Sequence, residues 1–319
     1  MGRWLRRALL IYLVASLAAG FVLGEFALQR GRWPGRAGAE ARAREVAAAR
    51  GAHLEPIHLD AADGIALEGW LFTRDDGAVR PTVLVAHGSY GSRDHATAYA
   101  EFLLQAGFDV LAPDARGHGA SGGVATFGVL EADDLQRWAA WVHTRRPGTC
   151  LYGLGTSLGA AEILMAEGRR HAFCAIVSDA SYATFLDAGL DRVARGLMVG
   201  DAGRWIGRPA AYVGLASVRL LHGVNLLAAN PVEAIARAEA PILLIHGDAD
   251  RNSPVYHTRA LAAAQPRAEV WIVPGATHGG CWRAEPRAYP ARIVAFFATH
   301  GRPGANPERP GPPAGKIGG

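Results

Sequence analysis

The sequence predicts a doubly wound, mostly parallel α/β sheet, on three observations. Short apolar runs alternate with amphipathic stretches through most of the chain, the pattern of strands joined by crossover helices. One such run, Cys150-Leu-Tyr-Gly-Leu154, passes through Gly155-Thr-Ser157-Leu-Gly159 into a helix-like stretch, Ala160 to Ala166. Residues suited to acid-base chemistry directly follow other apolar runs, and ligands of such sheets bind outside the carboxyl ends of the strands.

The first element is apolar. Arg3, Arg6 and Arg7 precede a stretch from Ala8 to Leu28 interrupted only by Glu25, which at ~1.5 Å per residue reaches across ~30 Å of bilayer core. It reads as a membrane segment or a signal peptide. Hydrophobicity runs on past the small residues at 16–20 through Phe21, Val22, Leu23 and Phe26, which favours an uncleaved anchor. The leading arginines argue for a cytoplasmic N-terminus and an exported domain, while Arg30, Arg32 and Arg36 weaken that signal. Residues 31–50 read as a linker ending in a short helix, 51–300 as one domain, and the Pro- and Gly-rich residues 301–319 as a disordered tail.

Within the domain, strands are expected near 54–59, 67–73, 82–86, 109–112, 150–153, 175–178, 242–245 and 270–273. Helices near 95–106, 129–143, 157–167, 256–264 and 289–299 separate the parallel ones, and the sheet begins antiparallel. From 182 to 229 no strand is legible. Leu190, Val193, Leu197, Met198, Trp205, Ile206, Tyr212 and Leu215 instead mark an apolar helical insert.

Composition narrows the function classes. About 250 residues between the termini bury enough apolar surface for a stable domain without disulfides. The net charge is +4, but Lys316 is the one lysine and the arginines are dispersed, so no basic patch for nucleic acid is expected. The three cysteines show neither metal-ligand spacing nor a Cys-x-x-Cys pair, and no phosphate-cradling loop is found, so no metal or cofactor is expected. Cys150 and Cys174, each opening a strand, are expected as buried free thiols, because pairs within one sheet rarely suit disulfide geometry.

Gly155-Thr-Ser157-Leu-Gly159 between strand and helix is a nucleophile elbow, a sharp turn that holds a serine hydroxyl out at the sheet edge. Serine is a weak nucleophile until a base and an orienting acid reach it. His278 follows the strand ending at Val273, and Asp250 follows the one leading to Gly247. Asp248, in the same loop, and Asp179, ending the sixth strand, are rivals for the acid. His87 and His246, each before a glycine at a strand end, read as structural, and His118 and His257 as surface or turn residues.

The order Ser157, Asp250, His278 resembles the α/β-hydrolase superfamily, and within it the membrane-anchored bacterial serine hydrolases with a short cap. Four further segments carry the likeness: Thr82-Val-Leu-Val-Ala-His87-Gly88-Ser89-Tyr90-Gly91, Asp114-Ala-Arg116-Gly117-His118-Gly119-Ala-Ser121-Gly122, Asn230-Pro231 and Pro241. The resemblance implies an eight-stranded sheet, a catalytic triad of Ser157, Asp250 and His278, and a cap at 182–229. It implies an oxyanion hole from the backbone N–H groups of Leu158 and Ser89, with Tyr90 as the alternative donor. It also implies a carboxylesterase-type activity on a small-molecule ester, with Tyr90, Met198 and Trp205 lining an acyl pocket, on a domain held outside a bacterial inner membrane. Thioesterase, lipase and peptidase chemistry on the same triad stay open, as does a non-catalytic binding protein; the oligomeric state is not legible.

Overall fold

The computed structural model describes residues 2–29 and 36–301. Arg30 at the end of the expected anchor, residues 31–35 of the expected linker, and the expected tail beyond Gly301 lie outside them.

Eight strands form one sheet among the described residues: β1 (His53–Asp60), β2 (Ala66–Thr73), β3 (Thr82–Ala86), β4 (Asp109–Pro113), β5 (Leu151–Thr156), β6 (Ala175–Asp179), β7 (Ile242–Gly247) and β8 (Glu269–Val273). Their order is β1-β2-β4-β3-β5-β6-β7-β8. β2 pairs antiparallel with both β1 and β4, and every later pairing is parallel. β3, β4, β6 and β7 are buried along their whole length, because crossover helices cover both faces, and this is why they read as continuous apolar runs.

Those helices are α3 (Ala96–Gln105), α4 (Glu131–Arg145), α5 (Leu158–Arg169), α9 (Tyr256–Ala264) and α11 (Ala288–His300), with the short α8 (Pro231–Ile235) and α10 (Cys281–Ala284). α5 is buried from Leu158 to Glu167, which places it at the centre of one apolar layer. The expected short helix before the domain is α2 (Ala39–Ala49). It is more than a linker: Ala43 and Ala47 are fully buried in the same cluster as Leu54 and Leu103.

The insert forms α6 (Phe185–Leu197) and α7 (Ala202–His222). Asp191 of α6 ties it to the domain by accepting hydrogen bonds from Tyr256 Oη (2.7 Å) and His257 Nε2 (2.9 Å), and Arg204 of α7 pairs with Asp191 and Asp187. His257 is therefore a buried anchor of the cap rather than a surface residue. His118, expected as a surface or turn residue, lies in a turn but is buried, with its ring centroid 5.1 Å from that of His87.

The N-terminal apolar helix is α1 (Arg3–Gln29), long and apolar enough to cross a membrane. It does not stand alone. Ser16, Gly20, Gly24 and Leu28 form a buried stripe at four-residue spacing, and α7 packs along it. Added Cβ atoms at Gly20 and Gly24 would lie 2.4 Å from Ala210 O and 2.8 Å from Gly214 O, so the two backbones approach as only small residues allow. Tyr12 Oη donates to Ile206 O at 2.8 Å, and Glu25 meets His222 at 2.9 Å. The two helices thus run side by side in the same direction.

One expectation about the cysteines is overturned. Cys150 and Cys174 are joined in a disulfide, with Cα atoms 5.6 Å apart. Both residues precede their strands, since β5 begins at Leu151 and β6 at Ala175. At these strand starts the two Cα atoms come within the span a disulfide bridges.

Candidate active site

Ser157 occupies the turn between β5 and α5, with φ 53° and ψ −110°. A non-glycine residue there is strained, and such strain persists only where the surroundings fix it. Two contacts do so here. Ser157 N–H donates to Asp179 O at the end of β6 (2.8 Å), and Ser157 O accepts from Ala161 N (3.2 Å). The flanking glycines are steric requirements: a Cβ at Gly155 would lie 2.5 Å from Ala160 N, and one at Gly159 would lie 2.4 Å from Ala86 O.

His278 is carried by the loop after β8, and its Nε2 lies 2.9 Å from Ser157 Oγ. Its Nδ1 lies 2.7 Å from Asp250 Oδ2, in the loop after β7. The three residues expected from chain order form one hydrogen-bonded chain. Burial alone would raise the Asp250 pKa, but hydrogen bonds from His246 and His278 and from the Ser253 backbone outweigh it, so the carboxyl is held well below its usual range. Its other oxygen accepts from Asn252 N (2.7 Å) and Ser253 N (2.9 Å).

The rival acids do other work. Asp248 Oδ1 accepts from Gly275 N (2.6 Å), fastening the loop after β8. Asp179 is buried and accepts from Tyr289 Oη (2.7 Å). Burial raises its pKa, the opposite of what an orienting carboxylate needs.

His246 proves more than a strand-end residue. Its Nε2 lies 3.3 Å from Asp250 Oδ2 and 2.7 Å from Ser253 O, while Nδ1 meets Thr258 Oγ1 at 2.7 Å. It packs behind Asp250 and steadies the acid loop. The four-residue spacing from His246 to Asp250 was visible in the sequence, but spacing in a loop gives no direction for a side chain.

The loop after β3 lies against the nucleophile, since a Cβ at Gly88 would sit 3.4 Å from Ser157 Cβ. His87 holds this loop: Nδ1 donates to Gly88 O (2.9 Å) and Nε2 accepts from Ala115 N (3.1 Å). Burial, with the neighbouring His118, lowers its pKa to about 3, which keeps it neutral and able to do both. Tyr90 has φ 67°, and Gly91 N donates to Gly88 O (3.0 Å), so Ser89 and Tyr90 form a tight turn. Leu158 opens α5, and the first N–H groups of a helix have no partner within it. Ser89 and Leu158 are thus brought to the serine from two sides.

The expected pocket is corrected. Met198 and Trp205 are 89% and 68% exposed, on the outer surface of the cap, and neither lines a cavity beneath it. A half-open cavity of about 120 Å³ between the cap and α1 is instead lined by Phe127, Phe185, Gly189 and Val193 on one side and by Leu23 and Phe26 of α1 on another. The amphipathic pattern shows that Met198 and Trp205 are apolar without showing whether anything covers them. The missed partner left its own trace, Gly20-x-x-x-Gly24 in α1 and Ala210-x-x-x-Gly214 in α7.

A serine whose hydroxyl meets an imidazole, itself held by an ionised carboxylate, is equipped for nucleophilic attack with proton transfer. Comparison with known proteins agrees with the fold. The chain is similar to an uncharacterised protein of Mycobacterium tuberculosis strain H37Rv, 30% identical over 226 residues, 70% of this chain and 71% of that one. It is also similar to an uncharacterised Bacillus subtilis protein, 26% identical over 68% of this chain and 70% of that one. Among solved structures, an esterase of Pyrococcus furiosus superposes with a TM-score of 0.62 at 24% identity, covering 79% of this chain and 94% of the other. The profile of the Alpha/beta hydrolase family matches residues 83–295, and the chain belongs to that family.

Proposed function

We propose that the protein is a serine hydrolase of carboxylic esters with a hydrophobic acyl group, working through an acyl-enzyme. The observation that carries this reading is the unbroken chain from Asp250 Oδ2 through His278 to Ser157 Oγ. Ser157 attacks the ester carbonyl while His278 Nε2 takes the hydroxyl proton, and His278 then returns a proton to the leaving alcohol. Water repeats the sequence and releases the acid. Asp250 fixes the tautomer with Nδ1–H toward itself and stabilises the imidazolium that forms. The N–H groups of Leu158 and Ser89 receive the developing oxyanion.

The substrate is a small-molecule ester, and α1 holds the enzyme in a bacterial inner membrane with the domain outside the cytoplasm. Arg3, Arg6 and Arg7 before the span support that orientation. The Cys150–Cys174 disulfide supports it too, because such bonds persist in oxidising compartments.

A panel of p-nitrophenyl esters from acetyl to dodecanoyl, with thioester and peptide anilide controls, tests the reading. Each acyl methylene withdrawn from water contributes up to ~0.8 kcal/mol, so kcat/KM rises with chain length until the cavity is filled. Faster cleavage of anilides than of any ester would replace the esterase reading with a peptidase.

A further inference from the structure

The cavity beneath the cap has an unusual wall. Phe127 lies on the loop leaving β4 and Phe185 on the segment leaving β6, strands that flank β3 and β5 in the sheet order. Both residues therefore follow the carboxyl end of the sheet, the end from which Ser157 rises. Gly189 and Val193 of α6 and Gly214 and Leu215 of α7 close two sides. Leu23, Phe26 and Ala27 of the N-terminal helix close the third.

We propose that this cavity takes the acyl chain of a bilayer-resident ester, so that α1 is a wall of the substrate site as well as an anchor. The proposal rests on the ester-hydrolase reading of Ser157. Three features point to a lipid chain rather than another occupant. Apart from Arg192 the lining side chains are apolar, which suits a hydrocarbon chain and leaves most of a peptide's backbone unsatisfied. The helix that completes it has membrane length and composition, with Leu10, Leu13, Val14, Leu17 and Phe21 exposed on its outer face. Tyr212, Leu220 and Leu221 of α7 are exposed beside it, which continues the apolar exterior from the anchor onto the cap. A chain dissolved in the bilayer thus meets apolar surface from the membrane to the cavity.

The same geometry gives α1 a structural role that a cleaved leader lacks. Its glycine stripe is fitted to α7 backbone to backbone, with Cβ atoms at Gly20, Gly24 and Gly214 each within 3 Å of a carbonyl oxygen across the interface.

Gly189 allows a direct test. It lines the cavity, and a Cβ added there meets nothing within 4 Å, so Gly189→Phe directs a ring into the space from an unobstructed Cβ, and an unchanged Tm checks that the fold is kept. Full-length protein in phosphatidylcholine vesicles is irradiated with a sixteen-carbon fatty acid carrying a diazirine near its methyl end, and adducts are mapped by mass spectrometry. The expected cavity adducts fall on Phe185 and Val193 and drop at least fivefold in Gly189→Phe, while those on outward Leu13 and Leu17 persist. In parallel, the ratio of kcat/KM for dodecanoyl over acetyl p-nitrophenyl ester is expected to fall at least tenfold in the variant. Adducts confined to outward residues, or cavity adducts and a chain-length ratio indifferent to Gly189→Phe, overturn the proposal. Cavity adducts that respond to Gly189→Phe in a protein hydrolysing no ester would instead sink the reading of Ser157, leaving a lipid-binding cavity without its substrate role.

Discussion

His278 Nε2 lies 2.9 Å from Ser157 Oγ although 121 residues separate them in the chain. The sheet closes that distance, because β5 and β8 are parallel and deliver both residues to one edge. Ser157→Ala and His278→Ala are each expected to lower kcat for p-nitrophenyl butyrate by a factor on the order of 10³ or more. Asp250→Asn is expected to do the same by favouring the wrong tautomer. Asp179→Asn is expected to keep kcat within about tenfold, since its partner is Tyr289; the reverse pattern would move the acid to β6.

The elbow glycines make a separate prediction about stability. Gly159→Ala places a methyl 2.4 Å from Ala86 O, and backbone cannot yield as a side chain does. The expected cost is about 3 kcal/mol, a fall in Tm of roughly 6–12 °C for a domain of this size. Gly189→Ala, in open space on α6, is expected to leave Tm unchanged or slightly raised, and scanning calorimetry of both checks the contrast.

This glycine pattern also shows what was legible in the sequence. The pentapeptide at 155–159 and the triad order were readable because the elbow's chemistry and its sterics require the same residues. The eight strands were readable because parallel strands are buried on both faces. The cap was legible as helix but not as surface: Met198 and Trp205 look like pocket residues in a one-dimensional pattern, which carries no sign of the exposure both have in the fold. The disulfide was missed because its two cysteines lie one residue outside the strands, a boundary that periodicity does not resolve. His257 was missed because its partner, Asp191, lies on the cap 66 residues away.

The buried His87 makes stability depend on pH in a known direction. Its pKa is lowered to about 3 in the fold, against ~6.5 for a free histidine. Between these values the unfolded chain binds the proton and the folded one does not, so this residue's contribution is complete above pH 6.5 and is lost as pH falls toward 3. His87→Asn removes that dependence. Urea unfolding of both proteins at pH 7 and pH 5 is expected to show wild type losing about 2 kcal/mol more than the variant over that interval; parallel losses would mean that His87 is protonated in the fold.

The disulfide closes a loop with a sequence separation of 24, for which chain entropy predicts about 3 kcal/mol of stabilisation. Cys150→Ala/Cys174→Ala is expected to lower Tm by roughly 6–12 °C while leaving the ester chain-length profile intact, because both residues lie at the amino ends of β5 and β6, opposite the site. Thiol titration of the unfolded protein should find one free cysteine, Cys281, and three would contradict the pairing.

The central claim, that Ser157 is a nucleophile activated by His278, is tested most directly by intact-mass spectrometry after brief exposure of the folded protein to a fluorophosphonate. A single phosphonyl adduct is expected, mapped to Ser157, absent in Ser157→Ala and formed at least a hundredfold more slowly in His278→Ala. An adduct on another residue, or no adduct on a folded protein that still hydrolyses esters, would contradict it.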